Sequence, residues 1–353
     1  MTEVHLRGVG KDFGAFTAIS RIDLDIKSGE LVALLGPSGC GKTTTLRMIA
    51  GLEVPTSGQI LFDGEDVSEV PVQDRNVGMV FQRYALFPHM TVEKNVTFGL
   101  KVRGTPAEEI KERLEDILDV VQLQPFRHRF PAQLSGGQMQ RVAIARTLIT
   151  KPSVLMMDEP LANLDTKLRG EMRRFIRDLQ QRLGITTIFV THDQIEAMEL
   201  ADRVAVIFNG NLAQYDRPDV LYQRPSSIEV ADFMGADNIF PADISSAGVI
   251  DSRFGKLTFD PATAPAQDGE GHFLLRSEAI DLLLTAEGAE TNLIQGVVRN
   301  REFFGASVNY AVECAGETIN VSEQSRRLVE VGETVWLRIQ PNHIWVIQEG
   351  SRA

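Results

Sequence analysis

A glycine-rich segment between two apolar runs limits the folds open to this chain. Residues 36–43 read Gly-Pro-Ser-Gly-Cys-Gly-Lys-Thr and match G-x-x-x-x-G-K-[ST] at every fixed position. The run Leu31 to Leu35 predicts a buried strand before this segment, and Thr43 to Ala50 predicts a helix after it. A strand, a tight turn and a helix in this order predict an α/β fold with a parallel core sheet.

The glycines of this segment suit it to phosphate binding. They let backbone N–H groups turn inward onto phosphate oxygens, and the helix that follows adds unpaired donors at its N-terminus. We expect Lys42 to reach the β- and γ-phosphates and Thr43 to hold Mg²⁺. The alternative is a glycine-rich turn with an incidental lysine, which the flanking patterns disfavour. The predicted nucleotide-binding residues here are Gly36, Ser38, Gly39, Cys40, Gly41, Lys42, Thr43 and Thr44.

Two carboxylates follow a second apolar run. Asp158 and Glu159 come directly after Val154 to Met157, at the expected end of a buried strand. Phosphoryl transfer needs positioning and charge stabilisation more than covalent chemistry. We therefore expect Asp158 to hold Mg²⁺ through a water and Glu159 to polarise the attacking water as catalytic base. The alternative is a strand that ends in two solvated acids.

A second anion-binding feature lies between these two motifs. Leu134-Ser135-Gly136-Gly137-Gln138 precedes a stretch with the apolar spacing of a helix, in which Val142, Ala145 and Leu148 are neighbours. Ser135 is a good N-cap, and the two glycines after it leave the start of the helix open to an anion. One chain thus carries two phosphate-binding surfaces.

Residues 134–146 resemble the signature motif of ATP-binding cassette (ABC) ATPases, which are P-loop NTPases. Three shorter segments agree with this family in chain order. Gln82 in Val-Phe-Gln resembles its Q-loop, Asp165 in Leu-Asp its D-loop, and His192 in Val-Thr-His-Asp its switch histidine. Each match is weak alone, and the ordered set is specific.

The resemblance implies that the two phosphate-binding surfaces belong to one shared site. In this family two copies pair head to tail. The Lys42 loop of one copy would then face Ser135, Gly137 and Gln138 of the other across an ATP. Asp165 would line the dimer interface, and hydrolysis would require a homodimer.

The family also implies roles for single residues. Gln82 would touch Mg²⁺ or the lytic water, and His192 would contact the γ-phosphate beside the catalytic base Glu159. Phe13 stands where the family places an aromatic ring against adenine. An ordinary apolar strand residue is the alternative for Phe13. Most histidines are neither ligands nor catalysts, but an apolar strand leads His192 to the sheet edge that carries Asp158.

Composition fits a two-domain protein of a reducing compartment. The chain has 353 residues, of which 43% are hydrophobic and 24% charged, and two cysteines without metal-ligand spacing. No apolar run approaches the roughly 18 residues of a membrane span, and the start of the chain has no signal-peptide character. A formal charge of −12 argues against nucleic acid as a partner.

The pattern of predicted secondary structure changes near residue 236. Alternating strand and helix patterns predict a nucleotide-binding domain at 1–236, with an antiparallel flap at 4–26 and a helical insertion at about 83–133. Within the insertion, Thr105-Pro106-Ala107-Glu108 predicts a capping box with proline at the first helical position.

Aromatic and apolar residues are concentrated at Tyr84–Val92, directly after Gln82. Such a concentration beside a catalytic loop is typical of an exposed docking surface. In ABC importers this region receives a short helix from each membrane subunit, so the resemblance implies that two transmembrane permeases dock here. The alternative is that Tyr84 and Phe87 pack the insertion.

Residues 237–353 have the pattern of a small all-β domain, an OB-like barrel. It resembles the C-terminal domain of ATPases that import maltose, sulfate, polyamines or ferric iron, which implies a regulatory or dimer-stabilising role. Ala162 and Ser277 depart from the family pattern, since relatives often have serine and proline there. Strands are predicted at 257–259, 273–275, 295–298, 308–312, 318–321, 335–339 and 343–347.

Together these features predict the ATP-hydrolysing subunit of an importer, at the cytoplasmic face of the inner membrane. We expect it to act as a homodimer under two permeases that an external solute-binding protein supplies. ATP would close the dimer and hydrolysis would reopen it. Two alternatives stay open: a soluble ABC ATPase without a transport role, and a regulatory binding module with incidental ATPase activity.

Overall fold

The computed structural model describes residues 2–264, 266–286 and 292–348. The chain forms two compact units, Met1–Asp219 and Val220–Ala353. The domain boundary expected at residue 236 stays a prediction. Met1 and residues 349–353, which belong to the two predicted domains, lie outside the described residues.

The first unit is organised on one mixed sheet. Among the described residues its ten strands follow the order β5-β4-β1-β2-β10-β9-β3-β8-β7-β6, with the bounds β1 (Val4–Phe13), β2 (Phe16–Ile26), β3 (Leu31–Leu35), β4 (Ser57–Phe62), β5 (Glu65–Asp66), β6 (Val77–Val80), β7 (Val154–Asp158), β8 (Thr186–Thr191), β9 (Arg203–Phe208) and β10 (Asn211–Asp216). Strands β6, β7, β8, β3 and β9 run parallel, whereas β1 pairs antiparallel with β2 and β4. The predicted parallel core with an antiparallel flap is confirmed.

Helices connect the parallel strands, as such crossovers require. Their bounds are α1 (Lys42–Ala50), α2 (Val92–Val102), α3 (Ala107–Val120), α4 (Gly136–Leu148), α5 (Thr166–Leu183) and α6 (Gln194–Leu200), followed along the chain by α7 (Pro218–Gln223) and α8 (Ile228–Phe233). Every residue of β3 and of β8 is buried, which is typical of parallel strands covered on both faces.

The predicted capping box before α3 is wrong. Pro106 is the N-cap rather than the first helical residue, and no side-chain hydrogen bond caps this helix. The N–H of Thr105 instead donates to the carbonyl of Leu100 at 3.0 Å. Thr105 therefore belongs to the turn that ends α2, and the N–H of Ile110 satisfies the Pro106 carbonyl at 3.0 Å.

The second unit holds the predicted all-β barrel. Its strands are β11 (Asn238–Ser245), β12 (Val249–Ser252), β13 (Gly255–Thr258), β14 (Gly269–Leu275), β15 (Ile280–Leu283), β16 (Leu293–Phe303), β17 (Ser307–Cys314), β18 (Glu317–Gln324), β19 (Thr334–Ile339) and β20 (Ile344–Ile347). Among the described residues they form two five-stranded antiparallel sheets, β13-β12-β11-β14-β20 and β15-β19-β16-β17-β18. The seven predicted strands each overlap one of these, and β11, β12 and β15 were not predicted.

The parallel strands bring three loops of the first unit to one sheet edge. In the register of these strands, Leu35 lies beside Thr191 and Asp158 beside Val190. The loops that follow β3, β7 and β8 therefore start next to one another. The carboxyl edge of a parallel sheet is where α/β proteins place their ligands.

Candidate nucleotide site

The loop after β3 has the backbone of a phosphate cradle. Gly36, Gly39 and Gly41 all have positive φ, at 156°, 82° and 107°. A Cβ atom on Gly36 would lie 2.2 Å from the Ile207 carbonyl oxygen, so only glycine fits there. Gly41 is the N-cap of α1 and offers no side-chain cap, which leaves the N–H groups at the start of that helix open to an anion.

Lys42 is held inside this loop. Its side chain is buried, and Nζ donates to the carbonyl oxygens of Gly36 and Pro37 at 2.8 Å each. These two hydrogen bonds hold the ammonium group against the backbone of the loop. Cys40 Sγ lies 3.8 Å from the same nitrogen, and Ser38 is exposed at the rim of the loop.

A hydroxyl and a carboxylate meet beside the loop. Thr43 Oγ1 donates to Asp158 Oδ1 at 3.0 Å. Burial raises the pKa of Asp158, and this hydrogen bond partly opposes the rise. The half-buried surroundings disfavour an unpaired negative charge on Asp158. A hydroxyl oxygen and a carboxylate oxygen in such a place fit a hard cation such as Mg²⁺, which prefers oxygen ligands.

The carboxylate of Glu159 lies between two side chains from other loops. Gln82 Nε2 donates to Glu159 Oε2 at 3.2 Å, and His192 Nδ1 lies 3.4 Å from Oε1. Glu159 adopts a left-handed backbone with φ of 44°, supported by its N–H donation to the Val190 carbonyl at 3.1 Å. The structure thus brings together Gln82, Glu159 and His192, which the sequence predicted as catalytic residues.

Other predicted residues occupy the ends of neighbouring elements. Asp165 is the N-cap of α5 and accepts from the N–H of Leu168 at 3.0 Å. Phe13, at the end of β1, is 47% exposed, and the Lys11 ammonium lies 4.8 Å from its ring centroid. An exposed aromatic face fits stacking by a base. Thr44 is half-buried in the first turn of α1.

The signature residues are not joined to the phosphate loop of their own chain. Ser135 Oγ accepts from the N–H of Gln138 at 3.3 Å, and Gln138 Oε1 accepts from the N–H of Ser135 at 3.0 Å. Within the described ranges, these are the hydrogen bonds that the two side chains make. Gly137 packs toward Leu168, whose side chain would lie 3.5 Å from an added Cβ. The predicted N-cap at Ser135 is confirmed.

Two residues that shape the site were not predicted. Asn163 Nδ2 donates to the Gln82 carbonyl at 2.8 Å and so ties the loop after β7 to the loop after β6. Arg146, near the end of α4, donates to the carbonyls of Tyr84 and Ala85. The only sequence signal for either was its place beside a motif, because both bonds link segments more than 60 residues apart.

Two family models and several curated relatives match this chain. The ABC transporter family matches residues 19–162, and the TOBE domain family matches residues 273–347. The chain is 46% identical over 349 residues to the Fe(3+) ions import ATP-binding protein FbpC of Escherichia coli strain K12, covering 99% of this chain and 98% of that protein. It is 45% identical over 346 residues to the protein of the same name from Photobacterium profundum, covering 98% and 97%.

The chain belongs to the ABC transporter family. Among solved structures, CbiO1 from Clostridium perfringens, part of the ABC transporter complex cbiONQ, matches with a TM-score of 0.58 and 31% identity over 61% of this chain and 88% of that chain. An ATP-binding cassette solved as a dimer in a post-hydrolysis state with ADP and Pi matches with a TM-score of 0.54 and 32% identity over 61% and 98%.

This ABC transporter chain is an ATP-binding protein of the importer subclass. It binds and hydrolyses ATP and energises import through partner membrane permeases. Its work is associated with a membrane, and none of the helices in the described residues is long and apolar enough to cross one. The relatives favour import over the two alternative functions that the sequence left open.

Proposed function

We propose that residues of four loops form one Mg²⁺-dependent ATP-hydrolysing centre in this chain. The observation that carries the proposal is the Glu159 carboxylate, 3.2 Å from the Gln82 amide nitrogen and 3.4 Å from His192 Nδ1. Thr43, which follows Lys42 in the chain, and Asp158, which precedes Glu159, are hydrogen-bonded to each other at 3.0 Å. Mg²⁺ bound by Thr43, Asp158 and Gln82 would neutralise charge on the phosphate oxygens.

The proposed chemistry is hydrolysis of the terminal phosphoanhydride bond. Glu159 orients a water molecule and accepts its proton as the water oxygen bonds to the γ-phosphorus. The bond from that phosphorus to the β–γ bridging oxygen breaks, and ADP leaves. Lys42 and His192 stabilise the charge that develops on the transferred phosphoryl oxygens. Gln82 holds the Glu159 carboxylate in place, and Phe13 stacks on adenine.

The other half of the site is proposed to come from a second copy. The signature residues Ser135, Gly137 and Gln138 bind the γ-phosphate held by the partner's loop, through the start of helix α4. Asp165 lies at the same interface. The start of α4, where two glycines follow the N-cap Ser135 and leave room for an anion, supports this arrangement.

The solute is proposed to be ferric iron. The support is the identity of 45% and 46% to two import proteins named for Fe(3+) ions, each matched over nearly its whole length. Two permeases dock at Tyr84–Val92, on the cytoplasmic face of the membrane, and a solute-binding protein delivers the cargo from the other side.

Replacement of Glu159 tests the catalytic assignment. Glu159→Gln keeps the size of the side chain but cannot take the proton, so we expect turnover to fall by about 10² to 10⁴. The affinity for MgATP should stay within about threefold of the parent's, because the phosphate cradle is intact. Glu199→Gln, an exposed carboxylate of α6, is the control. Equal turnover of Glu159→Gln and the parent would contradict the role of Glu159.

Uptake of radioactive ferric iron tests the solute. Cells that lack this chain should lose high-affinity ferric uptake and regain it with the parent chain, but not with Glu159→Gln. Uptake of sulfate and of maltose serves as the control. Ferric uptake that is the same with and without the chain would contradict iron as the cargo and leave the ATPase assignment untouched.

A further inference from the structure

Two residues just beyond Gln82 hold an unusual backbone. Tyr84 and Ala85 have φ of 33° and 48°, in the left-handed region that favours glycine. The Ala85 N–H donates to the Arg83 carbonyl, which closes a tight turn. Consecutive non-glycine residues in this region persist only where the surroundings hold them. The turn therefore depends on contacts from outside its own segment.

Arg146 of helix α4 supplies those contacts. Its Nη2 donates to the Tyr84 carbonyl at 2.9 Å, and its Nη1 donates to the Ala85 carbonyl at 2.6 Å. The guanidinium carbon lies 6.0 Å from the Phe87 ring centroid. In the part of the chain that the structure describes, Arg146 makes no ion pair with a carboxylate. Its charge is met by the two carbonyl dipoles and the ring.

The same helix carries the signature residues at its other end. α4 is a single helix from Gly136 to Leu148, capped by Ser135. The turn that Arg146 holds follows Gln82 in the chain. The carbonyl of Gln82 in turn accepts a hydrogen bond from Asn163 Nδ2. Arg146 is thus a direct side-chain link between the signature helix and the segment that leads from Gln82 toward Phe87.

We propose that Arg146 is a positioning residue that makes helix α4 and the turn at Tyr84–Ala85 move as one body during the ATP cycle. The planar guanidinium reaches two adjacent carbonyls with a fixed fork, which a lysine ammonium does not reproduce. A displacement of Gln82 is then transmitted to Ser135, and a displacement of the signature helix is transmitted to the turn. The inference rests on the proposed function for the movements of Gln82 and of the signature helix in the ATP cycle, whereas the contact between Arg146 and the turn does not depend on it.

Amide hydrogen exchange of the full chain tests this link. In Arg146→Lys we expect the peptide that covers residues 83–90 to exchange about tenfold faster than in the parent. The Mg²⁺ complex of a non-hydrolysable ATP analogue should slow exchange at the start of α4 in both proteins, but at 83–90 only in the parent. Arg141→Lys is the matched control, because Arg141 lies on the same helix α4 but its guanidinium contacts other segments, the Phe175 ring of α5 at 4.3 Å and the Val121 carbonyl at 3.3 Å.

Two variants of Ala85 distinguish the effect of the Arg146 hydrogen bonds on the turn from a general loss of stability. Ala85→Gly takes a left-handed φ without strain, so it should restore slow exchange at 83–90 to the Arg146→Lys protein. Ala85→Val is β-branched and disfavours that φ, so it should reproduce the fast exchange while Arg146 is intact. Ala85 is exposed, and neither change opens the core.

Several results would overturn the proposal. One is exchange at 83–90 in Arg146→Lys that is as slow as in the parent, and another is equally fast exchange there in Arg141→Lys. The others are fast exchange that Ala85→Gly does not slow in the Arg146→Lys protein, and slow exchange that Ala85→Val leaves unchanged. None of these measurements needs a permease or ATP turnover. A failure of the proposed docking or catalytic roles would therefore be seen separately.

Discussion

Asp158 shows how one residue can be poorly placed for stability and well placed for function. Burial is the main cause of its raised pKa, and the nearby Glu159 charge acts in the same direction. A raised carboxyl pKa means that the folded state binds the proton more tightly than the unfolded state does. Its stabilising contribution is present at low pH and is lost as pH rises from the ordinary Asp range through the raised pKa. Near neutral pH the ionised group destabilises the free protein, and a bound cation would offset this.

Removal of that charge should stabilise the free protein and impair the nucleotide-bound one. Asp158→Asn removes the buried ionisation, so we expect the Tm of the nucleotide-free chain at pH 7 to rise by roughly 1–3 °C. MgATP should then stabilise the variant much less than the parent, because a cation ligand is lost. Differential scanning calorimetry with and without MgATP measures both effects, with the exposed Asp178→Asn as control. A lower Tm in the free variant would contradict this account of Asp158.

At the scale of elements, the sequence predicts most where a local signal is strong. Helix α5 (Thr166–Leu183) ends where Gly184 supplies the left-handed C-cap at φ of 61°, and a glycine after an apolar periodic stretch is a strong local signal for a helix end. Strand β11 was not predicted because Pro241 and Asp243 interrupt its apolar pattern. It forms nevertheless, since β12 and β14 pair with it on either side. Pairing between distant segments overrides a weak local propensity.

In the candidate site, too, residues with a sequence signal were predicted and residues set by contacts between distant segments were not. Gln82 and His192 were predicted as catalytic from the family resemblance, and Glu159 from its place after a buried strand. The structure brings the three side chains together at the ends of β6, β7 and β8. Asn163 and Arg146 were not predicted, because their bonds to backbone carbonyls depend on how loops fold over one another. A carbonyl acceptor leaves no trace in the sequence of its own segment.

The proposed docking element is partly packed into its own unit. The Phe87 ring is half-buried, with its centroid 4.5 Å from that of Phe98 on α2. Asn95 fixes the backbone of the segment, accepting from the Phe87 N–H at 2.8 Å and donating to the Phe87 carbonyl at 3.1 Å. Pro88 and His89 are exposed. The segment thus presents exposed residues on a rigid base, so packing and docking are compatible.

A pair of substitutions separates packing from docking. Phe87→Ser and Phe98→Ser each remove one ring of the same contact, so we expect similar losses of stability, about 1–3 kcal/mol. ATPase activity of the isolated chain should survive both, whereas uptake through the complete transporter should fall much further in Phe87→Ser. Denaturant unfolding and uptake assays measure the two quantities. Normal uptake with Phe87→Ser, or equal losses in the two variants, would contradict a docking role for Phe87.

At the scale of the whole molecule, the proposed shared site gives each copy two halves that belong to two different sites. The phosphate loop and acidic residues lie at the carboxyl edge of the parallel sheet, whereas Ser135 and Gln138 bond to each other's backbone at the start of α4. The proposed head-to-tail homodimer would complete two sites at once, since symmetry repeats each interface contribution. Nucleotide affinity of one copy and assembly of two copies are then separable properties.

Ser135→Ala should separate these two properties. In the Glu159→Gln background, we expect monomer affinity for MgATP to change by less than about twofold, while ATP-dependent dimerisation weakens by about tenfold or more through loss of the signature hydroxyl. Loss of the N-cap bond to Gln138 would by itself cost about 1 kcal/mol of stability. Ser227→Ala, which removes the N-cap of α8, controls for that cost. Equilibrium nucleotide binding and analytical ultracentrifugation distinguish the outcomes: if Ser135→Ala abolished ATP binding by the monomer, the shared site would be wrong.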